Sequence, residues 1–363
     1  MTSDSAEEAG QMAQGTAPEI EVETPARGRQ WLEAALALVS RHREASIASV
    51  AVLLVAYIQL NNSVFLTSPL MSVVTKDTAR IGMIAAGMVL VMITGEIDLS
   101  VGATFAMAPY LMILMNTDWG WSLWLAAPAA LVIGVGVGCF NGLVTVKLHI
   151  PSLITTLGTF FLLTGITVTI ANSQPIQMPL QPPFNAIFGQ NRFGPLDSLF
   201  SWDGLTGFTP IIWTVGVVLV LTLVLSRTVF GLHVISTGSN LLAAREIGVR
   251  TDRIKISTFM IAGGLAALTG VITTTISGSA APDAGGSLLT LYAIAAAVIG
   301  GTALTGGSGT VIGALIGAFV IACLNNGLVL LGAQATVSNF YLGAAILVAM
   351  ILSVQVDTMR RKR

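Results

Sequence analysis

Residues 121–142 read WSLWLAAPAALVIGVGVGCFNG, a stretch without a single charged side chain. A helix needs about 20 predominantly apolar residues to cross the hydrocarbon core of a bilayer. The stretch also lacks the strict two-residue alternation of a membrane barrel strand. Gly134, Gly138 and Gly142 recur at every fourth position, a spacing that lets helices in lipid approach closely. The segment therefore predicts a transmembrane helix that packs tightly against a neighbour, either within the subunit or at a dimer interface.

The composition of the whole chain extends this prediction beyond one segment. Of 363 residues, 54% are hydrophobic and only 10% are charged, and the mean hydropathy is +0.82. Water-soluble domains carry about 25% charged residues, so a soluble fold is excluded. The formal net charge of −1 gives no indication of a nucleic-acid or acidic partner. Cys139 and Cys323 lie in apolar runs without a CxxC partner, which is typical of small buried hydrophobic side chains rather than metal ligands.

Similar apolar runs recur along the chain and define the fold class. We expect an all-α polytopic membrane protein with about ten transmembrane helices, because every backbone polar group in lipid must be satisfied within a helix or a closed barrel. The predicted spans are 45–62, 78–95, 99–115, 121–142, 150–171, 210–226, 256–277, 288–304, 309–331 and 338–355. An even number of spans places both termini on the same side of the membrane.

The distribution of basic residues then predicts which side that is. Cytoplasmic loops carry an excess of Lys and Arg. With a cytoplasmic N-terminus, only Lys76, Arg80 and Arg192 of the 17 basic residues fall outside. We therefore expect both termini in the cytoplasm of a prokaryote, in a multi-pass protein of the inner (plasma) membrane.

The chain divides into regions of different composition. Residues 1–28 are acidic and poor in apolar side chains, which predicts a disordered cytoplasmic tail rather than a cleaved signal peptide. Residues 29–44 combine arginines with an apolar stripe and predict an amphipathic helix at the membrane surface. The membrane domain is expected to cover 45–356, with an external loop at 172–209 that is rich in proline and aromatic residues. A cytoplasmic loop is expected at 228–256 and a basic tail at 357–363.

The cytoplasmic loop contains a short segment with helix-capping residues at both ends. It reads GSNLLAAREIGVR from Gly238 to Arg250. Asn240 is a favoured N-cap residue and Gly248 a favoured residue just past a helix C-terminus. We predict a two-turn helix between them, with Ala243 and Ala244 permitting close approach to a partner and Glu246 offering it a charge. An ordinary amphipathic loop helix is the alternative.

Two further segments combine glycine with polar residues inside otherwise apolar sequence. The first is GEIDLSVG, Gly95 to Gly102, whose acidic residues lie at the boundary of a predicted span, where charge is costly and usually functional or well capped. We predict that Asp98 caps the third span and forms a tight turn with Gly95; a gate, or an ion pair with a cytoplasmic basic residue, is the alternative. The second is AIAAAVIGGTALTGGSGTVIGALIG, residues 293–317, with another glycine ridge at Gly309, Gly313 and Gly317.

Together these three segments resemble the ribose/xylose-type branch of ABC sugar transporter permeases, in the branched-chain amino acid/sugar permease superfamily. The likeness runs from about residue 65 to residue 356 and preserves the order of the family's segments. They are the IDLSVG stretch (97–102), the cytoplasmic G-N-x-x-A-A segment (238–249) and the glycine-rich run (299–317). Ribose-like members commonly have Gly-Gly before Ile-Asp. Here Gly95-Glu96 is more similar to the xylose-like group.

The resemblance implies the assembly in which the chain acts. It implies a pair of permease subunits, as a homodimer or heterodimer, that forms the path for a pentose-like monosaccharide. It also implies an extracytoplasmic sugar-binding protein and a separate ABC ATPase subunit that binds ATP and magnesium. The chain has no Gly-x-x-x-x-Gly-Lys-Ser/Thr phosphate loop, so we expect no enzyme activity, bound cofactor or metal of its own. By the resemblance, the residues that couple to the ATPase are Gly238, Asn240, Ala243, Ala244, Arg245, Glu246 and Gly248.

Hydroxyl, amide and aromatic side chains in the predicted spans are candidates for the translocation path, since sugars bind to such groups. They are Asn141, Thr155, Thr156, Thr159, Phe160, Thr273 and Thr274. The segment from Gly95, with Glu96, Asp98, Ser100 and Gly102, is assigned a structural or gating role. Two alternatives remain for the function: a branched-chain amino acid or nucleoside permease of the same superfamily, and an ion-coupled secondary transporter, which would usually place ionisable residues at mid-membrane.

Overall fold

The computed structural model describes residues 43–189 and 209–332, together with residues 340, 341, 343, 344 and 347. The predicted acidic tail and the basic tail at 357–363 lie outside these residues. So do the surface helix at 29–44 and the span at 338–355, apart from their few described positions. The following description concerns the described residues only.

The described chain is almost entirely helical, with one short two-stranded sheet. The helices are α1 (Arg43–Asn61), α2 (Ser68–Ile93), α3 (Val101–Thr117), α4 (Leu123–Lys147), α5 (Ser152–Ala171), α6 (Pro182–Phe188), α7 (Thr209–Arg227), α8 (Val229–Ser239), α9 (Leu241–Glu246), α10 (Thr251–Ser277), α11 (Gly286–Ile299) and α12 (Val311–Leu330). Strand β1 (Ile176–Gln177) pairs antiparallel with β2 (Ser279–Ala280), with Ile176 opposite Ala280.

Six of these helices are long and apolar enough to cross a membrane: α1 from Glu44, α4, α5, α7, α10 and α12. Three further apolar helices, α3, α8 and α11, are shorter. The prediction of a helical membrane protein is confirmed, whereas the number of about ten spans and the side of the termini stay predictions.

Helix α2 begins at Ser68, well before the predicted start at residue 78. The predicted start followed the apolar run alone, whereas the helix begins earlier and includes the charged residues Lys76, Asp77 and Arg80. Asp77 accepts hydrogen bonds from Arg80 (2.9 Å) and from Asn326 on α12 (3.0 Å). Asp77 and Arg80 therefore have partners where the helix passes through them.

Helices α4 and α10 form a closely packed antiparallel pair along the first glycine ridge. Gly134 lies against Gly263 and Ala267, Gly138 against Phe259, and Gly142 against Ile256. A Cβ atom at Gly142 would lie 2.8 Å from the Cα of Ile256. The ridge therefore packs within the subunit, where only glycine permits this approach of two backbones.

The second predicted ridge is only partly helical. Helix α12 begins at Val311 because the Thr310 side chain accepts a hydrogen bond from the Gly313 amide (2.9 Å) and caps it. Gly309 precedes the helix, whereas Gly313 contacts Gly300, and Gly317 contacts Ala296. These contacts join α11 and α12 in an antiparallel hairpin.

The short helices α3 and α11 begin next to each other inside the bundle. Gly102 in the first turn of α3 contacts the backbone carbonyl of Gly286, where α11 begins. Both helices follow a non-helical segment, residues 94–100 before α3 and 278–285 before α11. At about 1.5 Å per residue, neither helix reaches the roughly 30 Å of a hydrocarbon core. Discontinuous helices of this kind occur where membrane proteins build polar sites.

The contact between α4 and α10 yields a direct test of close packing. We expect Gly138→Ala to lower the free energy of unfolding by about 1–3 kcal/mol, because the added methyl group overlaps the Phe259 carbonyl. Gly136→Ala, two residues along the same helix, is the matched control, because a Cβ there has no neighbour within 4 Å. Thermal unfolding of both variants in detergent is the measurement, and equal midpoints would show that α4 and α10 are not held this closely.

Candidate functional site

The most polar part of the bundle is the segment between α2 and α3, residues 94–100, which we call the linker. It begins with a tight turn in which Gly95 has φ +82°, a left-handed conformation that favours glycine. The Gly95 amide donates to the Met92 carbonyl (2.9 Å), and the Glu96 amide donates to the Val91 carbonyl (3.2 Å). The predicted turn at Gly95 is therefore present and reverses the chain at the end of α2.

Beyond this turn the linker backbone is satisfied by side chains of other helices. The Ile97 amide donates to the Ser152 hydroxyl (3.2 Å), and the Leu99 amide donates to the Thr156 hydroxyl (3.0 Å). On the other side, the Thr290 hydroxyl of α11 donates to the Leu99 carbonyl (3.3 Å) and accepts from the Gly102 amide (3.1 Å). Helices α5 and α11 thus provide the hydrogen bonds that the linker does not make within itself.

The buried carboxylate of Asp98 organises the end of the linker. It is 0% exposed, and its Oδ1 atom accepts hydrogen bonds from the amide (2.8 Å) and hydroxyl (2.6 Å) of Ser100. These contacts shape the turn just before α3, whose N-cap residue is Ser100. The capping role of Asp98 stays a prediction. The Oδ2 atom has no hydrogen-bond partner among the described residues.

A directional chain of donors runs toward Asp98 from two other helices. The Thr159 hydroxyl donates to Asn141 Oδ1 (2.7 Å), and Asn141 Nδ2 donates to the Ser100 hydroxyl (2.7 Å), which in turn donates to Asp98. Asn141 is 0% exposed. Because each member polarises the next, such a chain stabilises the carboxylate at its end. The network fixes the linker against α4 and α5.

Glu96, at the start of the linker, forms an ion pair with Lys255 on α10. The two side chains are only 15% and 17% exposed, so this pair is largely shielded from solvent. The contact of Glu96 corresponds to the alternative interpretation of the acidic segment, an ion pair with a basic residue.

The predicted two-turn helix is present as α9, with the expected caps. The Asn240 side chain accepts a hydrogen bond from the Ala243 amide (3.1 Å), and Gly248 follows the helix with φ +88°. Arg245 joins α9 to the start of α10, through Thr251 (2.9 Å) and Asp252 (2.9 Å).

The surfaces of α9 differ from the expected ones at one position. Ala244 is 2% exposed and packs against the rest of the chain, so it cannot belong to an outward docking face. The exposed apolar side chains are Leu242 (72%) and Ile247 (77%), while Ala243 and Glu246 are also exposed. The composition of a two-turn helix does not define which of its faces packs on the bundle and which faces outward. The burial of Ala244 could therefore not be predicted from the sequence.

Helix α8, which leads into α9, ends against the linker turn. Gly238 packs directly on the Ile93 carbonyl, and the same carbonyl accepts a hydrogen bond from the Gly307 amide (2.8 Å). A side chain at position 238 would overlap the end of α2. The segment before α9, the end of α2 and the loop between α11 and α12 therefore meet at one point.

The predicted path residues fall into three groups. Asn141, Thr156 and Thr159 take part in the linker network, and Thr155 is buried beside them with a hydroxyl that has no partner among the described residues. Phe160 packs with Ala103, Met107 and Leu163. Thr273 lies at the other end of α10, where it lines a cavity, and Thr274 is buried next to it. Their part in translocation stays a prediction.

Sequence analysis missed three residues of the linker site: Ser152, Thr290 and Lys255. Ser152 and Thr290 are isolated hydroxyl residues in apolar surroundings, and nothing local distinguishes them from others. The sequence indicates Lys255 only as one of the basic residues of the cytoplasmic loop. Its position directly before a predicted span is a signal that could have indicated an acidic partner. In the described part of the chain, no cluster of His, Cys, Asp and Glu side chains could hold a metal ion.

Comparison with known proteins identifies the family. Residues 70–350 match the model of the branched-chain amino acid transport system / permease component family. The chain belongs to this permease family. The match covers the linker, α9 and every described helix from α3 to α12.

Curated relatives are similar over nearly the whole chain. The autoinducer 2 import system permease protein LsrC of Salmonella choleraesuis is 34% identical over 319 residues, 87% of each chain. The xylose/arabinose import permease protein XylH of Sulfolobus acidocaldarius is 35% identical, over 87% of this chain and 86% of its own. LsrC of Photorhabdus laumondii is 33% identical, over 87% and 90%. No solved structure matches the chain.

The contacts of Asp98 predict how it tolerates substitution. We expect Asp98→Asn to keep the fold and the midpoint of thermal unfolding, because an amide oxygen can accept from Ser100 as Oδ1 does and no buried charge remains. Asp98→Ala removes the acceptor and leaves the Ser100 amide unsatisfied, which costs about 1–3 kcal/mol. Thermal unfolding in detergent distinguishes the two variants. If Asp98→Asn were as unstable as Asp98→Ala, the site would require the charge itself.

The shielded ion pair can be tested with a double-mutant cycle. Glu96→Gln and Lys255→Gln each leave one charge without its partner in a largely buried place, and such a loss costs about 3–5 kcal/mol when burial is complete. We expect less than this for each single variant and a smaller loss for the double variant than the sum of both. Unfolding free energies of the four proteins give the coupling energy, and a strictly additive cycle would rule out the pair.

Proposed function

We propose that this chain is the membrane-spanning permease subunit of an ATP-driven ABC importer for a small polyhydroxylated molecule, a pentose-like sugar. The observation that carries the proposal is α9 and its anchorage. It is a short, capped helix with an apolar exposed face, held at the end of the bundle next to the linker. Family membership and the import functions named for the relatives LsrC and XylH support the same proposal.

In this proposal the chain crosses the membrane about ten times, with both termini in the cytoplasm. Two permease subunits enclose the path. An extracytoplasmic binding protein delivers the sugar to one end, and an ABC ATPase subunit binds α9 at the other. ATP and magnesium bind to that ATPase, because the permease has no phosphate loop.

The contacts around α9 provide a physical route from the ATPase to the interior. Arg245 fastens α9 to Asp252 and Thr251, in the first turn of α10. One turn further along α10, Lys255 pairs with Glu96 of the linker. A displacement of α9 therefore moves the start of α10, and this helix pulls on the linker and its network to α4, α5 and α11. Gly238 adds a second route, since it bears directly on the end of α2.

Recognition of a sugar, in this proposal, rests on weak contacts. The hydroxyl and amide groups beside the linker are mostly engaged with one another, as in the chain from Thr159 to Asp98. A path lined by such groups holds the cargo loosely and releases it, while the binding protein supplies selectivity.

The coupling proposal is tested at the exposed face of α9. We expect Leu242→Asp and Ile247→Asp to weaken co-purification of an ABC ATPase of the sugar-importer class from the same organism by about tenfold or more. Fully burying such a side chain contributes about 1.5–3 kcal/mol, and 1.4 kcal/mol corresponds to tenfold in affinity. Glu246→Lys, at an exposed charge, is expected to cost only about 0.2–1 kcal/mol.

The matched control is Leu180→Asp, because Leu180 is 81% exposed and lies between β1 and α6, away from α9. It should leave co-purification of the ATPase unchanged. Ala244→Trp is unsuitable as a docking test, since a bulky side chain there would disturb the packing under α9. Full coupling in both aspartate variants, or ATP hydrolysis by the permease alone, would contradict the proposal.

A further inference from the structure

A cavity lies at the end of the bundle opposite α9, among α2, α7 and α10, with a mostly apolar lining that includes cationic and hydroxyl side chains. Its volume is about 130 Å³, which is room for about four water molecules. Lys76 and Arg80 from α2, and Thr273 and Ser277 from α10, line it together with apolar side chains such as Met83. It lies near the end of α10 and the start of α7, whereas α9 precedes the start of α10, roughly 27–39 Å away along that helix. The cavity is thus separate from the linker and from the proposed ATPase contact.

Among the described residues, only one carboxylate lines the cavity, and it is already satisfied. Asp77 accepts from Arg80 Nη2 through one oxygen (2.9 Å) and from Asn326 Nδ2 through the other (3.0 Å). This arrangement fixes the orientation of the Arg80 guanidinium. The described lining of the cavity thus contains two cationic side chains, Lys76 and Arg80, and one carboxylate, Asp77, whose two oxygens already accept hydrogen bonds.

The groups that remain unengaged are donors. Arg80 Nε is buried and has no hydrogen-bond partner among the described residues, and within the same residues Lys76 forms no ion pair. Lys76 and Arg80 are four residues apart on a helix and therefore project from the same face. A buried donor without a partner is costly unless a ligand or water satisfies it. A lining with positive charge and free N–H groups, and without a free carboxylate, is complementary to an oxyanion.

We propose that this cavity binds a carboxylate or phosphate group, with Lys76 and Arg80 as its cationic contacts and Thr273 as a hydroxyl contact. The group belongs either to a free acidic ligand at the mouth of the path or to the head of an anionic lipid. Placement of this end toward the outside rests on the proposed function, but binding of the anion by the isolated chain does not.

The test uses radiolabelled inorganic phosphate and the purified full chain in non-ionic detergent. We expect one saturable phosphate site, which weakens about tenfold in Lys76→Gln. Lys76 has no internal partner to lose, so this variant should fold normally. Arg80→Lys keeps the charge beside Asp77 but removes Nε, and it should weaken binding to a similar degree. Arg227→Gln, an exposed arginine at the other end of α7, is the matched control and should bind as the unaltered chain does.

A second arm distinguishes the two sources of the anion. The chain is loaded with phosphatidylglycerol, and lipid retained after detergent washing is measured by native mass spectrometry. Lipid that is retained in the control variant, lost in Lys76→Gln and displaced by phosphate assigns the site to a lipid head. Phosphate binding without competition from the lipid assigns it to a free ligand. Absence of both kinds of binding, or binding equal in Lys76→Gln and Arg227→Gln, overturns the proposal. Because no ATPase is present, failure of the coupling proposal would leave these results unchanged.

Discussion

Non-helical backbone inside a membrane bundle must find hydrogen-bond partners other than water, and this constraint shapes the whole site. The bilayer core offers none, so irregular segments persist only where protein groups satisfy them. Here the linker receives its partners from Ser152 and Thr156 of α5 and from Thr290 of α11. Two helices distant in sequence are thereby fastened to one short segment. The positions of α3 and α11 follow from it, since both begin where these bonds are made.

Close helix packing makes this arrangement possible. The Gly102 amide reaches Thr290 because Gly285 and Gly286 bring the two first turns into backbone contact. The pairing of α4 with α10 along Gly134, Gly138 and Gly142 has a related consequence. It holds Asn141 and Lys255 on adjacent helices near the linker. In lipid, where the hydrophobic effect does not drive helices together, such small residues allow dispersion contacts to do so.

Properties that depend on neighbouring residues could be predicted from the sequence. Long apolar runs predicted most helices, and the residues Asn240 and Gly248 predicted both ends of α9, because capping is a local interaction. The turn at Gly95 and the role of Asp98 toward Ser100 are local as well. Pairs that are distant in sequence could not be predicted. Glu96 and Lys255 are 159 residues apart, and Asp77 and Asn326 are 249 apart. The buried side of α9 at Ala244 also depends on the surrounding bundle, which periodicity over two turns does not define.

The different strengths of these contacts determine how a motion at α9 would travel. Arg245 and Asp252 are exposed, with side chains 52% and 39% accessible, and an exposed ion pair contributes only about 0.2–1 kcal/mol. Glu96 and Lys255 are much more shielded, and the hydrogen bonds from Thr159 to Asp98 are buried. The surface ion pair of Arg245 with Asp252 is therefore weaker than the shielded contacts nearer the interior. A displacement of α9 is therefore transmitted less firmly through Arg245 than through the buried contacts that follow it. The contact of Gly238 with Ile93 resists compression more strongly, because the two backbones touch there and cannot move closer together. Under compression, this backbone contact between the segment before α9 and the end of α2 is thus stiffer than the surface ion pair.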